Sequence, residues 1–210
     1  MSIPSSPVVA AARPPRDASG RKRAALFSGK RLWRLAAALA LTVAVIAVAG
    51  LPLYVFPAKG DPSGADLVYV IGPPQQQRLD LAASLRDTDD PAPLLVSVSN
   101  SRAGHGDHIF NSSALRVCRE HAVTCKTPLP FTTAGEARLL TDYAATHTVG
   151  KTVVITFTPH VARTRYIFAK CYAGDVTVVG VDTGLTVFDW AYQYAYQTAG
   201  FVKAWFTPCP

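Results

Sequence analysis

The chain has 210 residues, of which 49% are hydrophobic and 17% are charged, and this is enough for one domain with a packed core. Its net charge of +7 is confined to residues 1–34, which hold eight basic residues and one acid. The basic character therefore belongs to a tail and not to a folded face. A basic nucleic-acid-binding domain is not supported, and no nucleic-acid partner is expected.

Residues 35–56 form an uncharged apolar run that predicts a transmembrane helix. The run, LAAALALTVAVIAVAGLPLYVF, spans roughly 33 Å at about 1.5 Å per residue, enough to cross a bilayer. Basic residues are dense before it and sparse after it, which predicts a cytoplasmic N-terminus and an exported C-terminal part. A cleaved signal peptide is the alternative, since Ala47-Val48-Ala49 resembles a cleavage site. The long basic region and the continuation of the apolar run to Phe56 favour an uncleaved anchor in the cytoplasmic membrane.

Four regions follow from these patterns. Residues 1–34, rich in Pro, Ser and Ala, are predicted to be a disordered basic tail that lies against anionic lipid. Residues 35–56 are the anchor, through which the protein contacts membrane lipid. Residues 57–64 (PAKGDPSG) are a linker, and residues 65–210 are the exported domain.

Short apolar runs alternate with helical patterns within the exported domain. The predicted strands are residues 66–72, 93–99, 123–127, 151–157 and 175–181. The predicted helices are residues 75–86, 111–120, 133–147 and 159–171, followed by a C-terminal helix with an aromatic face. Continuously apolar strands that each precede a helix are typical of a parallel sheet covered on both faces. The pattern predicts an α/β fold, a Rossmann-like three-layer domain with a mainly parallel five-stranded sheet. The expected strand order is 3-2-1-4-5, with a ligand crevice between strands 1 and 4.

The four cysteines all lie on the predicted exported side; they are Cys118, Cys125, Cys171 and Cys209. An even number of cysteines in an oxidising compartment indicates disulfides. Of the three possible pairings, we favour Cys118–Cys125, which closes a short connection, and Cys171–Cys209, which tethers the C-terminus. A metal site that includes His121 is the alternative, but no C-x-x-C spacing supports it.

No motif for a metal or a cofactor is evident, and neither is expected. The loop GHGDH brings His105, Asp107 and His108 together, but these ligands are too few and too adjacent for a metal site. After strand 1, Gly72 is followed by two prolines that remove backbone donors from the place where a phosphate loop needs them. Ordinary dinucleotide binding is therefore disfavoured.

The stretch ITFTPHVARTR (residues 155–165) places His160 and Arg163 at the start of the helix after strand 4. Thr158 is the predicted N-cap and Pro159 the first helical residue, so His160 and Arg163 share one face. A helix start disfavours a protonated histidine, and a neutral imidazole can act in acid–base catalysis. Arg163 can bind an anion. The alternative is that His160 caps loop carbonyls and Arg163 is solvated.

Two further segments border the same crevice under the expected strand order. Arg78 lies early in the helix after strand 1 and faces the crevice; the alternative is a solvent-facing arginine paired with Asp80 or Asp87. The spacing Thr133-x-x-Glu136 is that of a capping box, and simple helix capping is the favoured interpretation. The alternative is that Thr133 and Glu136 line the ligand crevice.

The order of these motifs resembles the SanA/ElyC/YdcF-like family, a Rossmann-like and often membrane-anchored group linked to bacterial envelope integrity. The resemblance covers about residues 66–181 and is best at VVITFTPHVARTRYIF, where His160 and Arg163 take the positions of the family's histidine and arginine. Arg78 matches the family's arginine after strand 1, and Thr133 fits its Asn-Thr-x-Glu-Asn helix start in part. The family's glycine-rich turn after strand 1 is reduced here to one glycine and two prolines.

The sequence therefore predicts a single-pass, membrane-anchored cell-envelope protein that contributes to envelope biogenesis or barrier integrity. Its exported domain would bind an anionic envelope metabolite, with phosphate as the candidate group, through Arg78, His160 and Arg163. One alternative is a non-catalytic scaffold that recruits an envelope protein partner. Another is a hydrolase or transferase that uses His160 as an acid–base, although no paired nucleophile is evident.

Overall fold

The computed structural model describes residues 29–86, 89–99 and 115–210. The predicted tail up to residue 28, Asp87, the GHGDH loop and the first four residues of the predicted helix 111–120 lie outside the described residues. The chain divides into two units, Met1–Val43 and Ala44–Pro210, and the second contains the whole α/β domain.

The N-terminal helix α1, Gly29–Gly50, continues into a π-helical segment, Leu51–Val55. The combined stretch Lys30–Val55 is long and apolar enough to cross a membrane, as an anchor or as a signal sequence. Pro52 has no N–H for the helical ladder, and Phe56 N instead donates to Leu51 O at 2.7 Å, five residues back. The predicted apolar helix is confirmed, and it begins earlier than predicted because its basic residues also favour a helix.

A five-stranded, all-parallel sheet forms the centre of the domain. Its order is β3-β2-β1-β4-β5, which confirms the predicted α/β fold class and strand order. The strands are β1 Leu67–Val70, β2 Leu94–Ser97, β3 Val123–Lys126, β4 Lys151–Phe157 and β5 Asp175–Val181. The central strands β1 and β2 are buried along their whole length, which explains their uninterrupted apolar sequence.

Helices cover both faces of the sheet and produce two cores. The helices are α2 Gln76–Ser84, α3 Thr133–Ala144, α4 Val161–Cys171 and α5 Val187–Phe206. Tyr69 packs on one face of the sheet with Leu140 and Phe168, while Val68 packs on the other face with Ala82. Successive residues of β1 point to opposite faces, so this one strand contributes to both cores.

Three predicted elements differ in detail from the structure. The helix expected from residue 159 begins as a 3₁₀ turn, Thr158–His160, and α4 starts at Val161. Thr158 is not an N-cap, because its hydroxyl donates to Asp182 Oδ1 at 2.5 Å and so joins the ends of β4 and β5. The described part of the helix predicted at 111–120 is a 3₁₀ turn, Arg116–Arg119. The aromatic face of α5 is split, because Trp190 is half-buried whereas Trp205 is 71% exposed.

Both predicted disulfides are present with the favoured pairing. Cys118–Cys125 joins the 3₁₀ turn to β3, and Cys171–Cys209 joins the end of α4 to the C-terminal tail. Lys170 secures the same region, because its Nζ donates to the carbonyls of Ala204 and Thr207 at 3.0 and 2.8 Å. The end of α5 is therefore held to α4 by a covalent bond and by a cation.

The two disulfides should differ in their contribution to stability. The bridge Cys171–Cys209 closes a sequence separation of 38 residues and Cys118–Cys125 one of 7. From loop-closure entropy, we expect double serine substitution of the first pair to lower the free energy of unfolding by about 4 kcal/mol, and of the second pair by about 2.5 kcal/mol. Denaturant unfolding of the full chain in detergent micelles measures both values. A larger loss from the shorter loop would contradict the expectation.

Candidate functional site

The candidate site lies beyond the carboxyl ends of β1 and β4, where the strand order reverses. The chain leaves β1 towards β2 on one side and later returns to β4 on the other, and such a switch point opens a crevice in an α/β sheet. Four of the predicted residues, Arg78, Glu136, His160 and Arg163, meet there, and the hydroxyl of Thr133 contacts the imidazole. Arg78, Glu136 and His160 are each at most 6% exposed.

His160 is held as a neutral imidazole by its two neighbours. Arg163 Nε donates to His160 Nδ1 at 3.1 Å, and His160 Nε2 lies 3.3 Å from Thr133 Oγ1. A guanidinium has only donors, so Nδ1 must be the acceptor and the proton is assigned to Nε2. Burial lowers the pKa of His160 well below its usual value, and the charges of Arg163 and Arg78 lower it further. The side chain of Gln197, which acts in the opposite direction, does not overcome these effects.

Glu136 is a buried carboxyl group bonded to the turn after β1. Its Oε1 accepts a hydrogen bond from Gly72 N at 2.6 Å, and the Ser97 hydroxyl at the end of β2 also bonds to it. Burial raises the pKa of Glu136 to about 7, although these bonds and the charges of Arg78 and Arg163 oppose the rise. The carboxyl group is therefore poised between its two protonation states near neutral pH.

The predicted capping box at Thr133 and Glu136 is wrong by one residue. The N-cap of α3 is Thr132, whose Oγ1 accepts from Gly135 N at 3.1 Å. Thr133 is thus the first helical residue and bonds to His160, while Glu136 turns inward to Gly72. The alternative interpretation, in which both side chains border the crevice, is the one that the geometry supports.

Arg78 is buried and binds the same turn from the opposite side. Its Nη1 donates to Ile71 O at 3.2 Å and to Pro73 O at 2.9 Å, and its guanidinium lies 5.3 Å from the centre of the Phe157 ring. Burial lowers its pKa to about 10, and the charge of Glu136 opposes this shift. The solvent-facing alternative is wrong; Asp80 bonds instead to Gln76 at 2.7 Å.

The turn after β1 has therefore no backbone donor left for an external anion. Gly72 N bonds to Glu136, and the two prolines that follow have no N–H. The carboxylate of Glu136 occupies the place where a phosphate binds in nucleotide-binding α/β domains. The prediction that ordinary dinucleotide binding is disfavoured stays a prediction, and the occupied turn adds a structural argument for it.

A cavity of about 480 Å³ opens beside Arg163 and Thr133, between the start of α3, α4 and α5. It is lined by the cations Arg163, Lys170 and Lys203, and by apolar side chains that include Ile167 and Tyr196. No Asp or Glu is among its described lining residues. The cavity is thus positively charged with an apolar wall.

Helix α5 completes the site with residues that the sequence analysis does not identify. The Arg163 guanidinium lies 5.2 Å from the centre of the Tyr196 ring, and a methyl group on Gly200 would collide with Arg163 Nη1. Gln197 is fully buried; its Nε2 donates to Gln193 Oε1 at 2.8 Å, and its side chain also acts on His160. Two glutamines four residues apart, Gln193 and Gln197, on the mainly apolar inner face of α5 are the sequence signal that could have identified Gln197.

A larger cavity, of about 680 Å³, lies between residues 55–62, α2 and β5. Its wall is mainly apolar, with Lys59 and Asp182 as charged members, and none of the buried residues Arg78, Glu136 or His160 lines it. It is therefore separate from the candidate site despite its greater volume.

No metal centre is formed by the part of the chain that the structure describes, where His, Cys, Asp and Glu side chains nowhere cluster in threes. The alternative of a site with His121 is wrong, because Cys118 and Cys125 are joined to each other. The GHGDH loop lies outside the described residues.

Comparison of the chain with protein-family profiles, with characterised proteins and with solved structures finds no significant match. The resemblance of residues 66–181 to the SanA/ElyC/YdcF-like family thus stays a prediction.

The tautomer of His160 can be tested directly. We expect nitrogen-15 NMR of the labelled full chain, with His160→Gln used for assignment, to show a proton on Nε2 and a neutral ring well below pH 6.5. Arg163→Leu should raise the pKa of His160, because it removes both a donor to Nδ1 and a nearby positive charge. A wild-type ring that carries its proton on Nδ1 would contradict the assignment.

The buried carboxyl group should give a pH-dependent stability. Because folding raises the pKa of Glu136 from 4.5 to about 7, the folded state loses about 3 kcal/mol from this group as the pH rises through that window. His160, with its lowered pKa, has the opposite slope below about pH 6.5, so the wild-type curve alone conceals the effect.

We therefore expect Glu136→Gln to gain about 3 kcal/mol relative to the wild type between about pH 4.5 and 7.5. Denaturant unfolding of both proteins over this range measures the difference. Asp142→Asn, at an exposed carboxylate on the same helix, is the matched control. A difference for Glu136→Gln that does not change with pH would contradict the prediction.

Proposed function

We propose that the protein is a single-pass, membrane-anchored cell-envelope protein whose exported domain binds an anionic ligand beside Arg163. The uncharged apolar run of residues 35–56 and the eight basic residues before it support an anchor in the cytoplasmic membrane with the N-terminus inside. Two disulfides support an extracytoplasmic domain, because such bonds persist in oxidising compartments.

The positively charged cavity beside Arg163 is the observation that carries the ligand-binding proposal. Among the described residues, no carboxylate forms an ion pair with Arg163. Only its Nε is bonded to His160, and the guanidinium has further donors on Nη1 and Nη2 for an anion. Lys203, which is exposed on the cavity wall, would add attraction.

His160 is a positioning residue in this proposal. Its neutral ring accepts from Arg163 and so fixes the direction of the guanidinium without adding a like charge. Thr133 completes the arrangement, because its hydroxyl bonds to the imidazole and it also lines the cavity. Arg78 contributes positive potential from behind the turn, since its Nη1 is already bonded to two carbonyls.

An organic phosphate is the class of ligand that fits best. A guanidinium with a nearby ammonium group suits a phosphate, and the apolar wall with Phe131, Ile167 and Tyr196 suits an attached organic group. The predicted family, whose members are linked to the bacterial envelope, supports an envelope metabolite as the source and a role in envelope biogenesis or barrier integrity.

An acid–base enzyme is the second candidate, and Glu136 is the observation that favours it. Its pKa of about 7 suits proton transfer near neutral pH. However, Glu136 faces the turn after β1, and both nitrogens of His160 are engaged. A scaffold that recruits an envelope protein partner is the third candidate and needs no small ligand.

Binding of phenyl phosphate to the full chain in detergent micelles, measured by calorimetry, tests the proposal. We expect Arg163→Leu to weaken binding about 10- to 100-fold, the loss typical of a charged hydrogen bond. Gly200→Ala should also weaken binding, because the added methyl displaces the guanidinium without removing its charge. Arg138→Leu, at an exposed arginine on α3, should bind as the wild type does.

Two outcomes would redirect the proposal. Wild-type affinity in both Arg163→Leu and Gly200→Ala would show that this cavity is not the ligand site. Release of phenol that is lost in Glu136→Gln would instead favour the enzyme.

A further inference from the structure

The outward face of α5 is mainly apolar from its first turn to its last. Its exposed members include Phe188 and Phe206, which are 87% and 80% exposed; the others are Val187, Tyr192, Tyr196, Val202 and Trp205. The only charged residues in this 20-residue helix are Asp189 and Lys203. Such a face is unfavourable in water and indicates a surface that another apolar phase covers.

The inner face of α5 packs on the end of the apolar N-terminal helix. Tyr194 Oη donates to Ala47 O at 2.8 Å, and the hydroxyls of Tyr54 and Thr198 lie 2.9 Å apart. The rings of Tyr54 and Tyr194 meet edge to face at 5.0 Å, and a methyl group on Gly50 would collide with the Tyr194 ring. These contacts lie within the compact unit Ala44–Pro210.

The contacts give the depth of α5 relative to the apolar span. Ala47 lies about two helical turns before Val55, where the span Lys30–Val55 ends. A helix that touches Ala47 and Tyr54 is at the height of these last turns. We propose that α5 is an interfacial helix whose outward face, with Phe188, Tyr192, Val202 and Phe206, is embedded in the outer leaflet of the bilayer. This rests on the proposed anchor, because a cleaved helix could not hold α5 at the membrane.

The polar groups of α5 are arranged as an interfacial position requires. Its first turn is closed by a capping box in which Asp189 and Thr186 satisfy each other's backbone donors. At its other end, the carbonyls of Ala204 and Thr207 accept hydrogen bonds from Lys170 Nζ. Few backbone groups therefore need water at either end. Gln193 and Gln197 bond to each other on the inner side, and tyrosine and tryptophan are side chains that favour the membrane interface.

Quenching of tryptophan fluorescence by brominated lipid tests the inference. The full chain is reconstituted into phosphatidylcholine nanodiscs with acyl chains brominated near the headgroup. Trp33→Phe with Trp190→Phe leaves Trp205 as the only tryptophan, on the exposed face of α5. We expect a loss of fluorescence comparable with that of a matched variant that retains only Trp33, which lies in the span. The control variant carries Glu120→Trp and has all three native tryptophans replaced by phenylalanine. Its single tryptophan lies beside the opposite edge of the sheet and should not be quenched.

The outcomes separate the two proposals. Quenching of Trp33 without quenching of Trp205 overturns the inference about α5 and leaves the anchor intact. Absence of quenching in both overturns the anchor itself. If a tryptophan variant does not fold, the unmodified chain is used instead. It is labelled in the bilayer with a photoactivatable apolar reagent. Labelled peptides should then include α5, and an unlabelled α5, or one cross-linked to a second copy, overturns the inference.

Discussion

The hydrogen bond between the Glu136 carboxyl group and Gly72 N is the constraint on which the rest of the site depends. In open α/β sheets the turn after the first strand presents backbone donors to a ligand anion. Here the protein's own carboxylate takes that position from α3, while Arg78 binds the turn's carbonyls from α2. The turn is thereby satisfied from both sides, and α2, β1 and α3 are fixed to one another.

The ionisable groups of the crevice shift one another's pKa values. Two arginines and one carboxyl group share the crevice, and a protonated imidazole would add an uncompensated buried charge. His160 therefore stays neutral and accepts from Arg163, and that bond turns the guanidinium towards the cavity that Lys170 and Lys203 also line. The crevice thus presents its cations on the α5 side. At the turn after β1, the backbone donor is not free, because Glu136 already accepts the hydrogen bond from Gly72 N.

Helix α5 links the site to the end of the apolar span. One side of this helix supplies Tyr196, Gln197 and Gly200 to the surroundings of His160 and Arg163, while Tyr194 contacts Ala47. Because all these residues belong to the unit Ala44–Pro210, the position of the crevice is coupled to that of the span's last turns. The proposed ligand site and the proposed membrane-facing surface therefore share one helix.

The sequence by itself determined the apolar span, the alternation of strands and helices, and the shared face of His160 and Arg163, because each depends on a local period or composition. The strand order was expected from the usual connections of such a fold, and the disulfide pairing was only favoured among three; the structure confirms both. Only the tertiary structure decided that Thr132, not Thr133, caps α3, because adjacent threonines are equally able caps and packing selects between them. It also decided that Glu136 fills the turn after β1 and that Gly200 packs against Arg163. These contacts join residues far apart in the chain, and no local pattern records where two distant elements meet.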